Sequence, residues 1–154
     1  MFTKIKNIIF CTILCAFLAF TPAFANTNTN APINTAPLSV VATPQKYLNK
    51  TIVMKATFDK FSTLGLDYKK AMRSSSDYIG FLIQRDDVDD HNVPLSEMKL
   101  FIKRDYAEKF IELDTGDKIQ ITGKVFSNAL GDPWIDVSKI TILQKKANPD
   151  KDKK

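Results

Sequence analysis

Four aspartates crowd into five residues at Asp86, Asp87, Asp89 and Asp90, with His91 and Asn92 directly after them. A run this rich in oxygen is what a hard cation such as Ca²⁺ takes as ligands. The spacing does not fit a calcium loop. Counted from Asp87, the sixth position is Asn92 where a glycine must turn the chain, and the twelfth is Met98 where a bidentate glutamate must close it. Asp87, Asp89 and Asp90 are the candidate metal ligands, but no metal or other cofactor is expected. In water, close like charges at a hairpin tip repel by only ~1 kcal/mol per pair. Nucleophilic catalysis fares no better. His91 is the single histidine, and both cysteines, Cys11 and Cys15, fall within the first 25 residues. Metal-assisted phosphodiester hydrolysis needs carboxylates and arginines converging on one phosphate, whereas Arg73, Arg85 and Arg104 lie on separate segments. Enzymatic activity is not expected.

The remaining pattern with chemical content is Lys99, Phe101 and Lys103, which alternate with Met98, Leu100 and Ile102 and so share one face of a strand. An aromatic ring between two ammonium groups suits stacking of a base or sugar, a contact of about 1–3 kcal/mol per base, with phosphates beside the lysines. Tyr68, Lys69, Lys70 and Arg73 lie on a long irregular segment, 62–77, that lacks any apolar period. Segments of that length in compact domains are often functional. The same pattern also arises when Phe101 packs beneath the long segment and the lysines form an ordinary solvated face. Both readings stand at this stage.

These residues must be positioned by strands. Ile52, Met54, Ala56 and Phe58 alternate with Val53, Lys55, Thr57 and Asp59 over 51–61, and Ile119, Ile121 and Val125 alternate with polar neighbours within the stretch Leu113 to Leu143. Gly123 interrupts the second of these, which marks a bulge or a bend where backbone approaches backbone. Further strands are expected at 78–85, 98–103 and 134–143, with Trp134 as a core or rim anchor. Thr43 and Pro44 open a short helical turn that brings Tyr47 and Leu48 under the barrel. Asp105 with Glu108 three residues later predicts a capped helix running to about Leu113, with Ala107, Phe110 and Ile111 on one face and Gly116 ending it.

The resulting order is mainly β: three strands, one helix between strands 3 and 4, then two more strands. With TPQKYLNKTIVMKATF leading into the first strand and GDKIQITGKV forming the fourth, the chain resembles small exported bacterial OB-fold domains of the tRNA-anticodon-like type. That resemblance covers roughly residues 38–143 and implies a five-stranded Greek-key barrel. Ala56 stands where such domains often carry glycine. The resemblance also implies a groove across the second and third strands, walled by the loops after the first and fourth. The expected ligand-binding set is then Phe101, Lys99, Lys103, Tyr68, Lys69, Arg73 and the tip around Asn128. The two walls echo each other, Phe61-Ser62-Thr63-Leu64-Gly65 against Phe126-Ser127-Asn128-Ala129-Leu130-Gly131. The fold implies a binding module, with single-stranded nucleic acid or oligosaccharide as an alternative to an unidentified ligand or protein partner.

Charge and ends bound the partners. The formal charge is +5, yet residues 46–143 carry 15 Lys and Arg against 15 Asp and Glu. The excess sits in Lys4, Lys6 and the tail 144–154, so the domain has no global basic signature for nucleic acid. Lys4 and Lys6, the apolar run from Ile8 to Phe20 and Ala23-Phe24-Ala25 form a signal-peptide pattern with cleavage after Ala25. Thirteen apolar residues reach about 20 Å as a helix, short of the roughly 30 Å of a bilayer core, so no membrane span is expected after cleavage. Leu14 before Cys15 argues against lipid attachment. A periplasmic or secreted domain without disulfides is expected, with residues 26–37 a disordered linker and 144–154 a disordered basic tail.

Overall fold

The computed structural model describes residues 31–88 and 93–147. The expected signal peptide, Asp89, Asp90 and His91 lie outside them. Among the described residues, no helix is long and apolar enough to cross a membrane.

The alternating segments form strands whose apolar side chains meet in one core. In β2 (Thr51–Ser62), Ile52, Met54, Ala56 and Phe58 are buried. They face Ile119, Ile121 and Val125 of β5 (Lys118–Ser127), Phe81 and Ile83 of β3 (Tyr78–Ile83), and Leu100 and Ile102 of β4 (Lys99–Lys103). Ile135, Val137 and Ile140 of β6 (Trp134–Gln144) complete that core. Strand β2 pairs antiparallel with both β3 and β5, β3 with β4, β4 runs parallel to β6, and β6 returns antiparallel to β5. The five strands therefore close on themselves as a barrel, with no free edge around the ring.

Gly123 sits where β5 shifts register against β6, and a Cβ there would lie 2.7 Å from both the Asp136 carbonyl oxygen and Ile135 Cγ2. Only glycine lets the two backbones approach so closely, the close approach expected from its place in the pattern. Ala56 is accommodated in the core opposite Ile119, and the irregularity of β2 falls later, between Phe58 and Lys60.

Several expectations are corrected. Residues 33–34 are not linker: β1 (Ile33–Asn34) pairs in parallel with Ile52 and Val53 of β2, and Thr35 N donates to Val53 O at 3.0 Å. Helix α1 (Pro37–Ala42) follows and buries Val40. It runs almost directly into α2 (Pro44–Tyr47), so the Thr43 hydroxyl donates back to Ser39 O instead of capping α2. Tyr47 is buried as expected.

After β4, α3 (Arg104–Ala107) starts at once, with Lys103 at its N-cap. Asp105 thus lies inside the helix, and no reciprocal capping forms. The helix tightens into a 3-10 turn at Glu108–Phe110. The change from 3.6 to about three residues per turn rotates later positions off the buried face, which leaves Ile111 77% exposed.

The tail also begins later than expected. Gln144 pairs with Lys118, and Lys146 N donates to Asp117 Oδ1 at 2.8 Å.

Candidate functional site

Strand pairing decides which side chains share the outer face of β3, β4 and β6. Tyr78 lies opposite Lys103, Gly80 opposite Phe101, Phe101 opposite Asp136, and Lys99 opposite Trp134. Paired residues project to the same side of a sheet, so Tyr78, Phe101, Lys99, Lys103, Trp134 and Asp136 form one surface. It divides into a covered half and an open half.

The covered half is a second, small core. Phe101 and Trp134 are fully buried, with ring centroids 5.7 Å apart and planes 20° from parallel. Tyr68, from the segment 63–77, also stacks on Trp134, with centroids 5.3 Å apart. Ala71 is buried in the same cluster. Gly65, at φ +84°, brings the backbone down onto the rings: a Cβ there would stand 3.1 Å from Trp134 and 3.2 Å from Phe101. Phe101 is therefore no exposed platform, and the reading in which it packs beneath the long segment is the one realised. Trp134 is an anchor whose indole N–H donates to Ala129 O at 2.7 Å.

Arg73 locks the segment to the sheet. Its Nε donates to Asp136 Oδ1 at 2.6 Å, its Nη2 donates to the other carboxylate oxygen, and the guanidinium lies 3.7 Å from the Phe126 ring centroid. The bidentate hydrogen bonds to Asp136 hold the guanidinium even more firmly protonated than usual, against the opposing effect of partial burial. Lys99 is likewise engaged, with Asp132 at 3.0 Å. Lys69 and Lys103 are exposed, and Asn128 is half-buried. The structure thus brings Phe101, Tyr68 and Arg73 together, but as a closed internal cluster.

The echo between the two walls is a repeated turn. Leu64 N donates to Ser62 Oγ at 3.0 Å and Ala129 N to Ser127 Oγ at 3.1 Å, and each turn ends in a glycine at positive φ, +84° at Gly65 and +82° at Gly131. Both walls contact Trp134, one through Gly65 and the other through the Ala129 carbonyl.

The open half continues the same face past the edge of the cover. One groove is lined by Tyr78, Lys103, Tyr106, Asp136, Val137 and Ser138, and an adjoining one by Ser76, Asp77, Tyr78, Lys103, Arg104 and Asp105. Tyr78 and Tyr106 are half-buried, while Lys103 and Arg104 are exposed. Arg104 Nε donates to Ser75 O at 2.8 Å, which fixes its stem beside Lys103. Of these residues only Lys103 stands in the sequence-derived set. Tyr78 starts β3 and Tyr106 lies within the short α3, and period-2 alternation carries no signal for which tyrosine borders an open gap.

The acidic turn is only partly described. Arg85 donates to Asp87 from Nε at 3.0 Å and to Glu97 Oε1 from Nη1 at 2.6 Å. The Arg85 hydrogen bonds hold the Asp87 carboxyl below its ordinary value. Among the described residues no cluster of His, Cys, Asp and Glu could hold a metal ion. Arg73, Arg85 and Arg104 share no partner, engaging Asp136, Asp87 with Glu97, and Ser75 respectively, and do not converge.

No protein-family model matches the chain, and no curated protein sequence matches it. Solved structures do. A protein assigned as an aspartyl-tRNA synthetase from Leishmania major superposes with TM-score 0.50 at 12% identity, over 82% of this chain and 24% of that one. The barrel is an OB-fold. Asparaginyl-tRNA synthetase from Pyrococcus horikoshii aligns with TM-score 0.48 at 12% identity, over 73% of this chain and 23% of that one. An OBody bound to hen egg-white lysozyme aligns with TM-score 0.43 at 18% identity, over 66% of this chain and 88% of that one. The chain spans about a quarter of the length of the synthetases it matches.

Proposed function

We propose that this chain works by binding and not by catalysis, as an exported OB-fold module that holds single-stranded nucleic acid in the open groove around Lys103. The observation that carries the reading is the placement of two tyrosine rings, Tyr78 of β3 and Tyr106 of α3, beside two exposed cations, Lys103 at the end of β4 and Arg104 at the start of α3. Aromatic faces take bases of any sequence, and adjacent cations take the phosphates between them. A fold shared with proteins named as tRNA synthetases supports the ligand class. The signal-peptide pattern in residues 1–25 supports the exported address.

Fluorescence anisotropy with a labelled oligothymidylate and an oligouridylate 12-mer at low salt tests the ligand. Tyr106→Ala is expected to weaken binding by about 5- to 150-fold, the loss of one stacking contact of about 1–3 kcal/mol. Lys103→Ala is expected to weaken it less as salt rises. Saturable binding to an oligosaccharide panel with none to either oligonucleotide would move the ligand class. Binding that neither substitution alters would remove the groove. Expression in a Gram-negative host, with fractionation and N-terminal sequencing, tests the address, and full-length chain retained in the cytoplasm would overturn it.

A further inference from the structure

We propose that residues 63–77 form a displaceable cover, and that the Trp134–Phe101 pair beneath it is a second stacking platform masked by the chain's own Tyr68. The proposal rests on the nucleic-acid reading above for the nature of the ligand, but not for the existence of the cover.

Three observations carry it. The first is what the cover does: Tyr68 lies on Trp134 at 5.3 Å with planes 20° from parallel, the arrangement that a bound base adopts on an indole. Trp134 and Phe101 are themselves stacked and continuous with the open groove, because Phe101 pairs with Asp136 and Tyr78 with Lys103 on the same face. Removing Tyr68 from this face would leave an aromatic surface leading directly to Tyr78 and Lys103.

The second observation is how the cover is held. Backbone hydrogen bonds of its tip close within the segment, from Leu66 N to Thr63 O, from Ala71 N to Tyr68 O and from Asp67 N to Arg73 O. Its tip is tied to the barrel by the bidentate Arg73–Asp136 pair, while its C-terminal end stays anchored to α3, where Arg104 N donates to Asp77 O at 2.9 Å and Arg104 Nε to Ser75 O at 2.8 Å. The tip, residues 63–73, is thus a preformed body that can lift once the Arg73–Asp136 latch opens, with 75–77 staying in place as its hinge.

The third is exposed apolar surface around the same cleft. Leu64 is 45% exposed and Met72 50% exposed on the cover, and Leu130 is 71% exposed on the opposite wall. Trp134 lies against Gly65, next to Leu64, and its indole N–H donates to the carbonyl oxygen of Ala129, next to Leu130. An opened cover would present these side chains to an incoming strand.

Masking of this kind lowers apparent affinity by the fraction of molecules that are open. Trp134 is the single tryptophan, so its accessibility reports the cover without any ligand. Arg73→Ala and Tyr68→Ala, each checked for native circular dichroism, are expected to raise acrylamide quenching of Trp134. Both are also expected to raise affinity for the oligothymidylate 12-mer by about five- to tenfold. The sign is discriminating for Arg73→Ala, since the loss of a positive charge by itself weakens binding to a polyanion.

Native-like variants whose Trp134 stays as shielded as in the wild type would overturn the cover. Variants with an accessible Trp134 but no gain in affinity would overturn the platform. If the wild type and both variants fail to bind any oligonucleotide, the proposed ligand falls, and the quenching result still decides whether the cover opens.

Discussion

A phenylalanine on the outer face of an OB-fold strand is a ligand platform only while solvent reaches it. At Phe101 the ring is fully buried, stacked on Trp134 and beneath the backbone of Gly65, which lies against both rings. The alternation of Lys99, Phe101 and Lys103 reports correctly that the three share a face, but period 2 carries no information on what lies above that face. A glycine at φ +84° supplies the missing fact, because it is the residue that lets the loop descend onto the rings. The consequence is energetic. Phe101→Ala is expected to destabilise the domain by about 3–5 kcal/mol, the range for removing a buried aromatic side chain. Urea denaturation measures it, with Leu64→Ala, at an exposed site on the cover, as a control expected within about 0.5 kcal/mol of the wild type. A Phe101→Ala midpoint as small in its shift as that control would return the ring to the surface.

At the scale of elements, the five barrel strands were legible because each buries one side and therefore alternates. The pieces that were missed are those too short or too irregular to show a period. Strand β1 has two residues, Ile33 and Asn34, and is defined by backbone bonding to β2, which composition does not encode. The helix after β4 was legible as a helix but not in its face, because its last turn is 3-10. The join between β5 and the end of β6 was also hidden, since it depends on one buried aspartate preceding β5. Asp117 accepts hydrogen bonds from Asp114 N at 3.0 Å and Lys146 N at 2.8 Å, and its Oδ2 lies 2.9 Å from Lys145 Nζ. Burial by itself would raise the pKa of this carboxyl, but the two N–H donors and the ammonium outweigh it and leave the value lowered. A carboxyl depressed in the folded state is protonated first in the unfolded state. Its stabilisation is complete above the unfolded value of roughly 4 and is lost as pH falls through the lower folded value. Asp117→Asn is expected to cost about 1–3 kcal/mol at pH 7, and urea midpoints of variant and wild type should converge as pH drops below about 4. A gap that stays constant from pH 7 to pH 3 would show that the charge on Asp117 does not hold this join.

For the whole molecule, the distribution of charge sets what kind of nucleic-acid binding the proposal permits. The segment 46–143 has equal numbers of Lys plus Arg and Asp plus Glu, 15 of each, so attraction must come from a local arrangement and not from a global field. In the open groove the cations are Lys103 and Arg104, with Asp77 and Asp105 in the same lining, so only phosphates placed directly at the two cations are attracted. Two phosphate contacts to a single strand predict a slope of log affinity against log salt of about −1.4. Stacking on Tyr78 and Tyr106 supplies the salt-insensitive remainder. The tail from Lys145 to Lys154, with five lysines against two aspartates, is the other source of positive charge. Anisotropy titrations from about 50 to 200 mM salt separate the two sources, using the domain with and without residues 148–154. The groove predicts a shallow slope that the truncation leaves nearly unchanged and that Lys103→Ala reduces by about 0.7. A slope steeper than about −3 that collapses on truncation would assign the binding to the tail, and would leave the barrel face without a role in capturing the strand.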